Sequence, residues 1–509
     1  MQNNLYITTP IYYVNDKPHI GHAYTSIACD VLARFARIDG RNVKFLTGTD
    51  EHGQKVEKSA ANAGVEPQDF TDMVSESFRE LTHLINLSND DFIRTTEERH
   101  INAASAMWNK LLDSGDIYMG SYSGWYSVRD EAFYAQSELI NGMAPTGAPV
   151  EWVEEPSYFF RLSKYGDKLL EFYEQNPDFI APESRRNEVI SFVKGGLHDL
   201  SISRTTFNWG VKVPNEPSHV MYVWLDALTN YLTAVGFPEN SDDFNNFWQN
   251  AEVLHVVGKD ILRFHAVYWP AFLMSANLPL PSRIYAHGWW TNEGQKISKS
   301  LGNVINPLQL IETYGLDSVR YFLLREVPFG NDGNFSRLQL IQRINSELAN
   351  NIGNLTQRTL SLVHKNCGGL IPQQTKNEID LSMLNSFYVT TSQMQNLMYQ
   401  LKFSQALELI TDIASKLNEY IDLNAPWSLK KTDAQRMEEV LYSLLEGVRI
   451  LAIYLQSFIP DSAAKILHQL GFKDKIIPVS HINSSHKLIS GISLPENYAI
   501  FPRFDLIDE

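Results

Sequence analysis

Leu5-Tyr6-Ile7-Thr8, Pro18-His19-Ile20-Gly21-His22 and Val43-Lys44-Phe45-Leu46-Thr47 mark out the stretch that decides the fold. The first run predicts a strand. Gly21 opens a segment with Ile27, Val31, Phe35 and Ile38 in helical phase, closed by Asp39-Gly40. The third run predicts the next strand, ending in the turn Gly48-Thr49-Asp50-Glu51-His52-Gly53. Strand, helix, strand at this spacing is a βαβ unit with a right-handed crossover. Val220-Met221-Tyr222-Val223, Val253-Leu254-His255-Val256-Val257 and Ile284-Tyr285-Ala286-His287 predict further strands of the same sheet. Open parallel sheets bind ligands at their C-terminal strand ends. Thr9, Asp50, Trp224, Asp226, Gly258 and His287 fall at such positions.

The unit carries neither a GxGxxG fingerprint nor a GxxxxGK[ST] loop, which disfavours dinucleotide hydride transfer and P-loop hydrolysis. In their place stands His19-x-Gly21-His22 at a helix start. Gly21 has no Cβ, so a flat base or ribose can approach the backbone there. A helix N-terminus favours negative charge, and two imidazoles three residues apart can donate to phosphate oxygens. The plain alternative is a loop with two surface histidines. A second motif, Lys296-Ile297-Ser298-Lys299-Ser300, follows a strand-like run and is bracketed by Gly294 and Gly302. By itself it is a solvated basic loop. Beside HxGH it predicts ammonium groups folding over a triphosphate while the α-phosphorus is attacked and pyrophosphate leaves.

At 509 residues the chain exceeds a single core, so two to four domains are expected. Apolar content of 44% predicts a fully globular protein. The formal charge of -16 argues against a non-specific nucleic-acid coat and against DNA, but leaves room for a local basic track. Cys29 and Cys367 are too few for a disulfide framework or a thiolate zinc site, which suits a reducing compartment. The start Met1-Gln2-Asn3-Asn4 lacks signal-peptide features, and no unbroken apolar run approaches the length of a membrane span. A cytoplasmic protein without membrane contact is expected.

His19-Ile20-Gly21-His22 resembles the HIGH signature of class I aminoacyl-tRNA synthetases, and Lys296–Ser300 resembles their KMSKS loop with Ile for Met. Thr9-Pro10-Ile11-Tyr12-Tyr13-Val14-Asn15, Gly48–Gly53, Tyr222-Val223-Trp224-Leu225-Asp226-Ala227 and Gly258-Lys259-Asp260 resemble the methionyl-tRNA synthetase family. So do Phe264-His265-Ala266-Val267-Tyr268-Trp269 and Asn424-Ala425-Pro426-Trp427. The resemblance implies a methionine pocket of Ile11, Tyr13, Trp224, Ala227, Leu228, Tyr231, Phe264, His265 and Trp269, with Asp50 on the α-ammonium. Leu228 stands where some relatives carry Pro. The residues suit that use: aromatic and aliphatic groups enclose a thioether, and one carboxylate holds an ammonium. Individually, Trp224, Tyr231, Phe264 and Trp269 read more often as plain core residues. His19, His22, Lys296 and Lys299 are the implied catalytic groups; Gly21, Asp226, Gly258, Asp260, His287 and Ser298 are the implied ATP contacts. ATP and Mg²⁺ are implied, the ion carried mainly by the triphosphate.

Residues 113–215 predict a small α+β connective insert between residues 1–112 and 216–300, the two halves of a Rossmann-like catalytic domain. Relatives carry Cys-x-x-Cys zinc knuckles here; this interval has no cysteine, so no structural zinc is expected, and Trp125, Tyr126 and Phe133 are expected to hold the knuckle. The insert is also short for an editing domain, which suits methionine better than small apolar substrates. Residues 301–337 are implied to join the core to a helical bundle at 338–509 with a packed-back tail. Leu338, Ile341, Ile344, Leu348, Ile352, Leu355, Thr359 and Leu362 form one stripe, and 384–401, 403–420 and 433–457 predict further helices. Asn354, Arg358 and Trp427 match the family's anticodon contacts, although Trp427 reads as well as an inter-helix plug. Arg185, Arg186, Lys194 and Arg204 are candidate backbone contacts from charge alone. The partners implied are L-methionine and tRNA(Met), including the initiator, on a monomer. Rival readings are a cysteinyl or leucyl synthetase, a small-metabolite nucleotidyltransferase, and a non-catalytic tRNA-binding protein. The first lacks thiolate ligands, the second leaves the helical third idle, and intact His19, His22, Lys296 and Lys299 disfavour the third.

Overall fold

The computed structural model describes residues 3–14, 17–130, 132–134, 136–292, 295–296, 305–474 and 476–505. Two compact units make up the chain: Met1–Cys29 with Asn42–His287, and Asp30–Arg41 with Gly288–Glu509.

The first unit is built on a seven-stranded sheet. β1 (Asn4–Thr8), β2 (Tyr12–Tyr13), β3 (Asn42–Asp50) and β4 (Asp91–Arg94) form one side of it. β1, β2 and β4 all pair with β3. On its other side β1 pairs with Ala251–Gly258, then come Arg283–His287 and Ile180–Ala181, and every pairing is parallel. Leu5, Tyr6 and Ile7 are at most 1% exposed, as a strand covered on both faces requires. Strand order reverses between β1 and Ala251–Gly258, and the crevice beyond such a switch point is where open α/β sheets bind ligands. The helix α1 (Ile20–Ile38) leaves that end of β1; Ile27, Val31 and Phe35 are fully buried, and Gly40 ends it with φ +89°.

Two expectations are corrected here. Glu216–Met221 is not a strand of the parallel sheet: it pairs antiparallel with Ser203–Arg204 and Lys212–Val213. Trp224 and Asp226 therefore lie in the first turn of the helix Val223–Thr233, because a short apolar run does not distinguish strand from helix. The stretch 113–215 is also not all insert. Ile117–Ser127, Ala132–Tyr134, Glu151–Phe160 and Leu200–Ser201 form a separate antiparallel sheet. Between them, Ile180–Ala181 joins the seven-stranded sheet with a helix on either side, Gly166–Gln175 and Glu183–Lys194.

The tip of the insert is tied by side chains. Trp125 packs edge-on to Trp152 at 5.4 Å and Tyr126 is 6% exposed. Tyr134 donates to Asp130 at 3.1 Å, and Arg129 donates to the carbonyl and hydroxyl of Thr146 at 2.7 and 2.9 Å. The Phe133 side chain lies outside the described residues.

The second unit is largely helical. Its stripe is buried from Ile341 through Thr359, whereas Leu338 is 48% exposed. The expected helix 384–401 is two, Glu378–Tyr388 and Thr390–Tyr399. Thr390 and Thr391 hydroxyls donate to the Phe387 and Tyr388 carbonyls at 2.6 and 3.1 Å, a local competition with the helix that no Gly or Pro announces. Ala434–Phe458 is apolar and long enough for a membrane span, a possibility that counting unbroken apolar runs passes over; its apolar window is wholly buried in protein. It holds Glu446 and Arg449 as an ion pair with neither side chain exposed. The tail runs back along this unit: Ile371 N–H donates to the Ile492 carbonyl at 2.8 Å, and Tyr442 to that of Leu488 at 2.9 Å.

Candidate active site and RNA-reading face

His19, just before α1, and His22, in its first turn, form a stacked pair with ring centroids 3.9 Å apart. Backbone amides decide which nitrogen carries the proton. The Gly21 N–H donates to His19 Nδ1 at 3.0 Å, and the His19 N–H donates to His22 Nδ1 at 3.1 Å. Both rings are thereby held as Nε2–H tautomers. Burial lowers the pKa of His19; burial and the neighbouring His19 push that of His22 well below its ordinary value. Two neutral N–H donors result, fixed before any substrate arrives. Gly21 serves a different purpose from the one its sequence suggests: a Cβ there would sit 2.9 Å from His19 Cε1, so the missing side chain admits the histidine ring.

The residues expected around methionine fall into two sets. Ala227, Leu228, Tyr231, His265 and Trp269 are at most 3% exposed and form a closed floor. Ile11, Tyr13 and Trp224 are half-buried against that core, and Phe264 stacks on Trp224 with centroids 3.7 Å apart and planes within 6°. Phe264 and His265 lie in a π-helical turn, Phe264–Tyr268, a bulge common at functional sites. Pro270 follows, and lacks the N–H that would reach the Ala266 carbonyl. The Tyr173 hydroxyl donates to that carbonyl instead, at 2.5 Å. His265 Nδ1 meets the Ile261 carbonyl at 2.9 Å and so is the donor, which leaves Nε2 to accept from the Tyr231 hydroxyl at 2.7 Å. Burial lowers His265 to about 4, in keeping with a neutral ring.

Asp50 closes β3 opposite Tyr13 in register and is 7% exposed. His287 ends the strand Arg283–His287 and its Nε2 meets Thr25 Oγ1 of α1 at 2.8 Å. Gly258 makes room for a neighbour: its Cβ would lie 2.5 Å from Asp260 Oδ1, and Asp260 is exposed. Asp226 is placed otherwise than expected. It is fully buried, with both oxygens taken by His52 Nδ1 and His100 Nε2 at 2.7 Å each, so it offers nothing to a nucleotide. Sequence reasoning missed His52 and His100, although His52 stood inside the quoted Gly48–Gly53 turn. Arg204, a candidate surface contact, is 2% exposed; it donates to Ser201 Oγ at 2.8 Å and lies over the Tyr222 ring. Lys296 pairs through its backbone with Thr291 in a short hairpin; Ile297, Ser298, Lys299 and Ser300 lie outside the described residues.

In the second unit, Asn354 and Arg358 lie on the helix Asn354–Cys367, and Trp427 on Pro426–Thr432. Arg358 donates to Asp422 at 2.8 Å, and its guanidinium lies 5.7 Å from the Trp427 ring centre. Trp427 is 47% exposed, which removes the plug reading. Ala425 at φ +38° turns the chain sharply out of the helix Phe403–Asn424 and into the one that carries Trp427.

A parallel sheet with HxGH at its switch point, a small antiparallel insert and a helical unit define a class I aminoacyl-tRNA synthetase. A family model described as "tRNA synthetases class I (M)" matches residues 5–149 and 139–360, and another, "Anticodon binding domain of methionyl tRNA ligase", matches 371–505. The methionine–tRNA ligase of Rickettsia felis is 61% identical, covering 99% of each chain, and that of Mesorhizobium japonicum is 52% identical, covering 98% of this chain and 97% of its own. The solved structure of Mycobacterium tuberculosis methionyl-tRNA synthetase in complex with methionyl-adenylate superposes with a TM-score of 0.95 at 49% identity, covering 99% of this chain and all of its own. The apo form of that enzyme gives 0.89 at 46% identity, covering 99% of each. The chain belongs to the methionyl-tRNA synthetase family.

Proposed function

We infer that this chain charges tRNA(Met) with methionine in two steps, and we assign the steps to its residues. The reaction rests on one observation above others, 61% identity to a methionine–tRNA ligase over 99% of both chains. ATP-dependent ligation proceeds by attack of the methionine carboxylate on the α-phosphorus, releasing pyrophosphate. A ribose hydroxyl of the tRNA's 3'-terminal adenosine then attacks the adenylate's carbonyl, AMP leaves, and the adenylate's own phosphate takes the proton.

For the first step, His19 and His22 would donate Nε2–H to phosphate oxygens. Their amide-locked tautomers and lowered pKa values support this, since donors fixed in advance need no reorganisation as charge develops. Lys296 and Lys299 would follow the leaving pyrophosphate, with Ser298 beside them. Gly21, Gly258, Asp260 and His287 would border the nucleotide. Asp50 would hold the α-ammonium, and the Trp224–Phe264 stack with the Tyr231–His265 pair would enclose the thioether. Mg²⁺ would arrive on the triphosphate; among the described residues no three His, Cys, Asp or Glu side chains form a metal cage. No general base is assigned, because the attacking carboxylate needs none. Asn354, Arg358 and Trp427 would read the anticodon by edge contacts and stacking. We take the enzyme to be a cytoplasmic monomer that charges initiator tRNA as well.

ATP–pyrophosphate exchange with each proteinogenic amino acid tests the reading. Methionine should drive it; exchange driven by another amino acid and not by methionine would overturn it.

A further inference from the structure

The catalytic scheme leaves Asp226 without a task, yet it is buried and tied at both oxygens. It is 0% exposed, and its partners His52 and His100 are 5% and 0% exposed. Burial alone would raise its pKa; the charge and hydrogen bonds of the two imidazoles outweigh that and hold it well below the usual carboxylate range. An ionised carboxylate only accepts, so His52 donates from Nδ1 and His100 from Nε2. His100 Nδ1 in turn meets Thr233 Oγ1 at 3.1 Å. Three segments converge on one charge: the turn after β3, the helix Glu98–Asp113 and the helix Val223–Thr233.

A buried charge is weak evidence for a role in stability. Desolvating such a group costs several kcal/mol, and apolar side chains of similar volume would join the same segments without that cost. Through His52 the charge is linked to an edge of the proposed amino-acid pocket. The His52 carbonyl accepts from the Tyr13 hydroxyl at 3.2 Å, and Asp50 lies two residues before His52. Trp224 and Ala227 share the helical turn of Asp226. None of the hydrogen bonds that fix His19, His22 or His287 involves Asp226.

We propose that Asp226 is a positioning residue for the amino-acid site, setting, through His52, the spacing between the Asp50–Tyr13 edge and the Trp224–Ala227 edge. The first edge takes the α-ammonium and the second the side chain, so the proposal rests on the assignment made above. The His52 hydrogen bond ties Asp226 to the first edge and its own helix carries the second, which fixes a gap that apolar contact would leave loose; misplacement by about 1 Å costs on the order of 100-fold in a bound reaction.

The test is methionine-dependent ATP–pyrophosphate exchange by Asp226→Asn, His100→Leu and His100→Gln, with Tm measured alongside. The Asn amide presents an NH2 to an imidazole N–H, so one ring must change tautomer or move away. Asp226→Asn should raise the methionine KM by ~10-fold or more while the ATP KM stays within ~2-fold. Should that variant not fold, the His100 pair decides. His100→Leu should raise the methionine KM by ~10-fold, and His100→Gln, which keeps a donor facing Asp226, should return it to within ~3-fold of the unaltered enzyme. An unchanged methionine KM in Asp226→Asn or His100→Leu overturns the proposal. So does a loss in which both KM values and kcat move together with Tm. If the unaltered enzyme exchanges with a different amino acid, the functional reading fails; the same variants are then scored on that amino acid's KM, and the two failures stay distinct.

Discussion

Where α1 begins, His19 and His22 are half-buried, stacked, and each held by a backbone amide. On the helical unit, Trp427 is 47% exposed, and Arg358 near its ring is paired with an Asp422 whose side chain is 63% exposed. The first arrangement would spend little conformational freedom in the proposed contact with a phosphate, because its donors are already held. The second leaves the Trp427 ring accessible and pairs Arg358 only with an exposed carboxylate, which suits the proposed docking of unstacked bases. Burial tunes the groups proposed for catalysis; accessibility is what the groups proposed to read RNA need.

The contrast breaks most visibly at His22. His22→Ala is expected to lower methionine-dependent exchange by ~10²–10³-fold, the usual cost of losing one preorganised donor, as read by kcat in the exchange assay. Gly21→Ala tests whether the pair is truly locked. Its Cβ would fall 2.9 Å from the His19 ring, so exchange should drop on the order of 100-fold with little change in Tm. A loss below about threefold there would mean that His19 is free to move.

Trp427→Ala tests the open face. Losing one stacking platform costs about 1–3 kcal/mol per base, so kcat/KM for tRNA charging should fall by at least ~5-fold more than exchange does. Equal losses in the two assays would make Trp427 a folding residue.

Acid should separate the regions more gently. The folded pKa values of His22, His255 and His265 lie below the ordinary 6.5, that of His265 at about 4, chiefly through burial. Between the two values the unfolded chain binds more protons, so stability rises with pH there. Stability from these groups is complete above about 6.5 and falls as pH drops towards 4, by at most about 1.4 kcal/mol per unit for each such histidine. Denaturant melts at pH 7 and pH 5 measure the difference. The smallest effect belongs to Asp422→Asn: an exposed pair is worth about 0–1 kcal/mol, so Tm should barely move.

Much of the site was legible in residue types. Apolar runs with the right periods announced β1, β3 and α1, and HxGH with Asp50 at a strand end named the residues on which the proposed ligand site rests. Val220-Met221-Tyr222-Val223 reads as a strand of the parallel sheet, yet it ends an antiparallel strand and opens a helix, because a short apolar run has no period to distinguish sheet partners or helix starts. Ile180–Ala181 was assigned to the insert because two residues carry no pattern of their own, and only their pairing with Arg283–His287 shows where they belong.

The sequence by itself determined the family, the order of the domains and the chemistry on offer, because residue type and local spacing are written along the chain. The tertiary structure alone decided proton positions and access. His52 and His100 lie 174 and 126 residues from Asp226, and only their meeting turns a presumed nucleotide contact into a buried, ionised anchor. His19 and His22 likewise owe their Nε2–H form to amides that reach them through one particular loop geometry. A side chain's protonation and reach depend on what surrounds it, and those neighbours come from distant parts of the chain.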